Sequence, residues 1–198
     1  MKKLISILSI FTIIYSCTKT EPPPLTSYTA KDSLRFGLLN IGQKYGGGII
    51  TYFFVSGDPG YDANTPHGLI AATSDQSVGI RWHNGSFTTT GATGTSIGTG
   101  FANTNKIIAN QGATARTYAA GLAIAAGGAA AEWFLPSKDE LNILYMNRVA
   151  IGGFTGNGYW SSTEFGSNNA WAQFFNNGIQ NSTNSKDRLG YVRLIKAF

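Results

Sequence analysis

The sequence predicts an α+β domain in which two helices pack on antiparallel strands joined by long ordered loops. Strand signals come first, two helix signals follow, and strand signals return at the end, an order of α+β rather than α/β proteins. Only 13% of residues are charged and 13% are aromatic, with 25 glycines. That composition supplies a core and many turns, and it is not that of a disordered chain.

Gly46-Gly47-Gly48 followed by Ile49-Ile50-Thr51-Tyr52-Phe53-Phe54-Val55 gives the strongest strand signal, a glycine punctuation before β-branched and aromatic residues. Residues 57–64 are turn chemistry throughout. His67 to Ala72 predicts a second strand and Gly79 to Trp82 a third. From Asn84 to Gly100 the Gly/Thr/Ser-rich chain has no period and reads as a long surface loop.

Helical signals run over Thr104–Ala109 and Ala113–Ala126, with Tyr118, Leu122 and Ile124 facing inward and Gly127-Gly128 as the stop. Ser137-Lys138-Asp139-Glu140 fits a capping box, in which the serine hydroxyl accepts from the third amide and the glutamate reaches back. Leu141, Leu144 and Tyr145 then share one helical face. Tyr159–Ser162, Ala170–Phe175 and Tyr191–Ile195 read as the closing strands, the middle one alternating at period two.

Residues 1–17 read as a secretory signal: Lys2 and Lys3 precede an apolar run from Leu4 to Tyr15, too short to span a bilayer. The run ends in Ile14-Tyr15-Ser16-Cys17, which resembles a bacterial lipobox. Cys17 is therefore the expected lipidation site, and the expected location is the bacterial outer membrane or cell surface. Cys17 is also the only cysteine, so the chain has no internal disulfide and no thiolate zinc site. Residues 18–40 carry Pro22-Pro23-Pro24 and read as an extended tether, leaving 41–198 as the folded domain. With Lys2 and Lys3 removed from 15 basic residues against 10 acidic ones, the mature charge is +3. No Lys/Arg cluster accompanies it, which argues against nucleic acid.

Catalytic material is thin. His67 and His83 are the only histidines, and no acid sits beside either in sequence, so no enzyme activity and no cofactor are expected. Asp58, Asp62 and Asn64 supply oxygen donors on a turn-rich loop, but the full calcium-loop pattern is missing; turn residues of this kind usually bond their own backbone. No metal site is expected.

Three segments carry a resemblance: Trp133-Phe134-Leu135-Pro136-Ser137-Lys138-Asp139-Glu140-Leu141, then Tyr159-Trp160-Ser161-Ser162-Thr163-Glu164, then Val192-Arg193-Leu194-Ile195-Lys196-Ala197-Phe198. In this order they resemble the family of bacterial domains similar to the C-terminal domain of the Legionella collagen-like adhesin. The resemblance spans about residues 41–198 and implies a C-type-lectin-like fold, related more distantly to the formylglycine-generating enzyme domain, whose cysteines this chain lacks. It implies adhesion or ligand binding, with an unknown protein or glycan as partner; a structural cell-envelope or pilus-associated subunit is the alternative. Trp133, Leu135, Leu141, Trp160 and Trp171 are expected in the core. Ser161, Ser162 and Glu164 are expected to satisfy backbone groups.

Residues 165–190 hold six asparagines among small polar and occasional aromatic residues, the composition of adaptable binding loops. The expected ligand-binding set is Phe165, Ser167, Asn168, Asn169, Phe174, Asn176, Ile179, Asn181, Thr183, Asn184, Asp187, Arg188 and Leu189, set among framework residues Trp171, Gln173, Phe175, Gly178, Gln180 and Lys186. The segment also resembles the variable stretch of C-type-lectin-like proteins diversified by retroelements, where asparagine codons mutate at adenines. That resemblance implies fixed Glu164, Trp171, Gln173, Gln180 and Lys186, and a near-copy of the segment beside a reverse-transcriptase gene.

Overall fold

Gly46 and Gly47, with φ of 54° and 85°, form the two-residue turn between strands β1 (Lys44–Tyr45) and β2 (Gly48–Phe53). Both turn positions need positive φ, the conformation glycine adopts without cost. The computed structural model describes residues 39–127 and 132–198. Cys17, the signal segment and the tether up to residue 38 lie outside the described residues. Leu39, within the expected tether, already packs with Ile41 against Ile50, Phe53 and Ile70.

The fold is α+β, with two sheets and, among the described residues, four helices. The first sheet has the order β1-β2-β3-β9, with β3 at Gly68–Ala71 and β9 at Ile195–Ala197. All its pairings are antiparallel. Strand β2 is buried on both faces: Ile49 and Tyr52 enter one apolar cluster, Ile50 and Phe53 another.

The second sheet has the order β4-β8-β5-β6-β7. Its strands are β4 (Ser77–Ile80), β5 (Gly158–Glu164), β6 (Asn169–Phe174), β7 (Gln180–Ser185) and β8 (Gly190–Val192). The expectation of purely antiparallel strands is corrected here, because β5 and β8 are parallel at Tyr159 and Tyr191. Two hairpin strands and a crossover separate them in sequence, and the crossover returns β8 to the start of β5. The run Tyr191–Ile195, expected as one strand, divides between the two sheets. Arg193 breaks it: its guanidinium donates to Asp75, Ala72 O, Gly152 O and Gly153 O, and Leu194 N donates to Gln76 Oε1.

Helix α1 covers Gly100–Gln111, beginning one turn before the expected Thr104. The helix expected over Ala113–Ala126 is reduced to α2, Gly121–Gly127. Alanine propensity loses there to tertiary bonding, since Ala119 N donates to Arg81 O and the Tyr118 hydroxyl to Gly112 O. Helix α3, Lys138–Met146, has both halves of the predicted capping box and buries Leu141, Ile143 and Leu144. Strands β1 and β7 and the short helix α4 (Arg148–Ile151) had no sequence signal. No described helix is long and apolar enough to cross a membrane.

Of the tryptophans expected inside, Trp160 is 2% exposed, but Trp133 and Trp171 are only half-buried. Trp82, fully buried, takes a central place in the same cluster as Trp160, with Leu135, Ala170, Ala172 and Val192. Trp160→Ala is therefore expected to destabilise by about 3 to 5 kcal/mol and Trp171→Ala by less than about 2 kcal/mol, read as shifts in urea midpoint.

Candidate functional site

Strand β5 carries five residues that each hold a different piece of chain. The Trp160 indole donates to Ile80 O and the Ser161 hydroxyl to Trp171 O. Ser162 N donates to Pro136 O, and the Thr163 hydroxyl donates to Gly94 O while accepting from Lys138 N. Glu164 ends the strand, and its carboxylate accepts from Thr90 N and Gly91 N at 2.9 to 3.0 Å. Lys186 completes the set, with Glu164 and Lys186 forming an ion pair whose side chains are 1% and 0% exposed. The Lys186 ammonium also donates to Thr88 O at 2.9 Å and stands 4.5 Å from the centre of the Trp82 ring. Burial pushes the Lys186 pKa down, and its bond to Glu164 opposes that shift. The 84–100 segment is thus irregular as expected, yet it is pinned to the sheet by buried charge.

The same pin aims the crossover. Strand β7 ends beside the start of β6, where Asn169 pairs with Ser185, while β8 starts beside the start of β5. Residues 186–189 must therefore pass across the sheet face. Gly190 lands against the Trp160 indole so closely that a Cβ would sit 2.5 Å from Nε1. Between crossover and sheet lies a pocket of about 200 Å³, lined by Trp160, Ala172, Phe174, Asn184, Arg188, Leu189, Tyr191 and Asn157.

This pocket collects Phe174, Asn184, Arg188 and Leu189 from the expected binding set, and the other members lie elsewhere. Phe165 is exposed and meets Trp171 edge-on, on a side of the hairpin where Lys138 stands over the Trp171 ring. Ser167 and Asn168 bond each other in the β5–β6 turn, and Asn169 starts β6. Asn176 and Ile179 occupy the β6–β7 turn, Ile179 57% exposed. Asn181 accepts from Thr183 N and its hydroxyl, and Asn184 donates back to Asn181 O. Asn184 is itself buried, in contact with the pocket rather than displayed. Asp187 accepts from the Ser185 hydroxyl, which lowers its pKa with help from His83 and Arg81. The expected set is therefore spread over two hairpin ends and two faces.

The framework residues behave as a framework. Gln173 is fully buried and donates to Asn142 and Gly178 O, and Gln180 donates to Lys138 O. Trp160, Asn157 and Tyr191 were missed as pocket residues because the crossover, which has no local sequence signal, brings them together.

A larger cleft of about 680 Å³ lies between Phe54, Phe101, Phe134 and Phe198. Its charges are already engaged: Lys196 pairs with Glu132, and Glu140 accepts from Ser137 N and Gly98 N. Burial pushes the Glu140 pKa up, against those bonds. Polar groups left free to orient a ligand are what a binding pocket needs, and in the smaller pocket Arg188, which joins no ion pair among the described residues, is such a group. Asp58 accepts from the Tyr52 hydroxyl and Val55 N, and Asp62 from Asn64 N; no cluster of three metal-ligating side chains occurs among the described residues.

His83 is buried beside the crossover. Its Nδ1 accepts from Gly85 N at 2.8 Å, so the neutral ring carries its proton on Nε2, which has no partner among the described residues. Burial, then Arg81 and Lys186, hold its pKa below 6.5, against the pull of Asp187.

Two measurements follow from this geometry. Glu164→Gln and Lys186→Met are each expected to cost about 3 to 5 kcal/mol by stranding a buried partner, and the double variant less than their sum; additive losses would mean that the pair is not coupled. For His83 the unfolded chain binds more protons, so stability falls as pH drops from above 6.5 toward the depressed folded-state pKa. His83→Gln is expected to flatten the slope of the urea midpoint between pH 7.5 and 5.5, a window of about two units around the ordinary histidine value. In comparison with known proteins, no family model matches the chain and no curated protein matches it.

Proposed function

We propose that this chain is a lipid-anchored bacterial surface protein whose C-type-lectin-like domain binds a ligand at the pocket under the 186–190 crossover. The observation that carries the reading is a small pocket under the crossover whose one charged lining residue, Arg188, joins none of the four ion pairs among the described residues. Around it the potential catalytic or structural groups are consumed: Glu164 and Lys186 hold each other, and Gln173 and Gln180 hold helix α3. A rigid floor with adaptable residues on the rim is the arrangement of a recognition surface.

The fold assignment rests on the three motif segments, whose residues lie at the α3 cap, along β5 and at the β8–β9 junction. The adhesin reading is supported by the same segments and by the lipobox-like Cys17. Ligand screening of the purified full-length chain on host-protein and glycan arrays tests it. Combined replacement of Phe174, Arg188 and Leu189 by alanine is expected to abolish the captured signal, while replacement of Phe165 and Ile179 leaves it intact. The reverse pattern would move the site to the hairpin ends. Cys17→Ala is expected to shift the protein from the membrane to the soluble fraction or leave an unprocessed precursor; a processed, membrane-retained variant contradicts the anchor.

A further inference from the structure

Val149 in helix α4 is 89% exposed, more than any other large apolar residue among those described, and Met146, just before it, is 40% exposed. Asn147 N donates to Ile143 O and Ile151 N to Asn147 O, so helical spacing runs through the α3–α4 junction. Residues three apart then share a face, which puts Met146 and Val149 side by side. The inner side of the same turn is fixed. Ile151 is buried with Leu144, Tyr159 and Phe175, and Asn147 donates to Thr51 O. A lone exposed apolar residue is ordinary; the place where the chain enters the domain sets this pair apart.

Gly42 lies so close to α4 that a Cβ there would sit 2.8 Å from Ala150 O. The described chain, which begins at Leu39, therefore enters beside this apolar tip. Residues 18–38, 21 in all, separate Leu39 from Cys17. A polar chain of that length spans about 25 Å on average, whereas a domain with a radius of gyration of about 15 Å is about 40 Å across. A lipid on Cys17 thus keeps the α4 end nearest the bilayer. Lys44, exposed in β1, and Arg148 stand at this end, and neither joins an ion pair among the described residues. A negative phospholipid surface attracts both. Helix α4 backs the cluster of Tyr159, while the crossover pocket is lined by Trp160, the next residue and so on the other face of the strand.

We propose, on the footing of the lipid anchor at Cys17, that Met146 and Val149 insert into the anionic phospholipid bilayer that holds the lipid, with Lys44 and Arg148 at its headgroups. Apolar burial and charge attraction act together in such a contact. Two apolar side chains are too little to recruit a free protein. The anchor supplies an effective concentration on the order of millimolar, at which a weak contact is populated. The domain then stands on its α4 end instead of swinging freely on its tether.

The test uses the lipidated full-length protein with Val149→Cys, whose new thiol is the only free one because the Cys17 sulfur carries the lipid. It is labelled with an environment-sensitive NBD group and reconstituted on vesicles of phosphatidylcholine with phosphatidylglycerol. Blue-shifted emission is expected, quenched by spin-labelled lipid and shielded from aqueous iodide. The same label at Val78→Cys, a position 71% exposed on β4, whose Gly79 abuts Leu189 of the crossover, is expected to stay water-like. In unlabelled protein, amide exchange across 145–151 should be slower on these vesicles than on phosphatidylcholine alone, and Val149→Asp should abolish the difference. A residue-149 label that stays water-like on protein that floats with the vesicles would overturn the proposal and leave the anchor standing. Equal lipid quenching at residues 149 and 78, or exchange indifferent to phosphatidylglycerol, would overturn it as well. Protein that does not float with the vesicles removes the anchor and this contact together.

Discussion

The buried pair of Glu164 and Lys186 is the constraint around which this domain is arranged. Two full charges withdrawn from water are costly unless each finds its counter-charge and further hydrogen bonds. Glu164 finds Thr90 N and Gly91 N; Lys186 finds Thr88 O and the Trp82 face. Satisfying them forces a loop of no intrinsic structure, residues 84–99, to lie along the second sheet. It also fixes where the chain leaves β7, and so where the crossover passes. The pocket under that crossover follows from the pin above it and from Gly190 below, where the backbone closes on Trp160.

A second buried cation repeats the device at the other end of β8. Arg193 gathers Asp75 and the carbonyls of Ala72, Gly152 and Gly153, with Phe154 against its guanidinium. It breaks what reads as one strand into β8 and β9, and by doing so joins the two sheets. Both cations stand in apolar surroundings, so the domain, which has no disulfide among its described residues, holds its irregular segments by charge. Specificity of chain path is the gain that such buried polar groups offer, more than net stability.

Where local chemistry decided the outcome, it was legible. The capping box at Ser137 and Glu140, the glycine turn before β2 and the period-two run of β6 all appear as read. Where tertiary partners decided, it was not. The alanine-rich stretch after residue 112 gave its amides to Arg81 and Gly121 instead of to a helix. Strand β7, Gln180–Ser185, is polar throughout and pairs because β6 offers an edge. Trp171 looked like core by type, yet its strand turns it to the half-exposed side, and Trp82, in a segment read only as a short strand, fills the centre. The binding segment was read as one surface because its residues are contiguous; the hairpin divides them between faces and ends, and only those beside the crossover share a pocket.

Hydrogen–deuterium exchange of the full-length chain, with and without a ligand recovered from the arrays, tests the central claim most directly. The account predicts that new protection is confined to residues 157–160, 172–174 and 184–191, around the pocket and its crossover. Protection instead in the cleft of Phe54, Phe101 and Phe198, or restricted to the 176–179 turn, would contradict it.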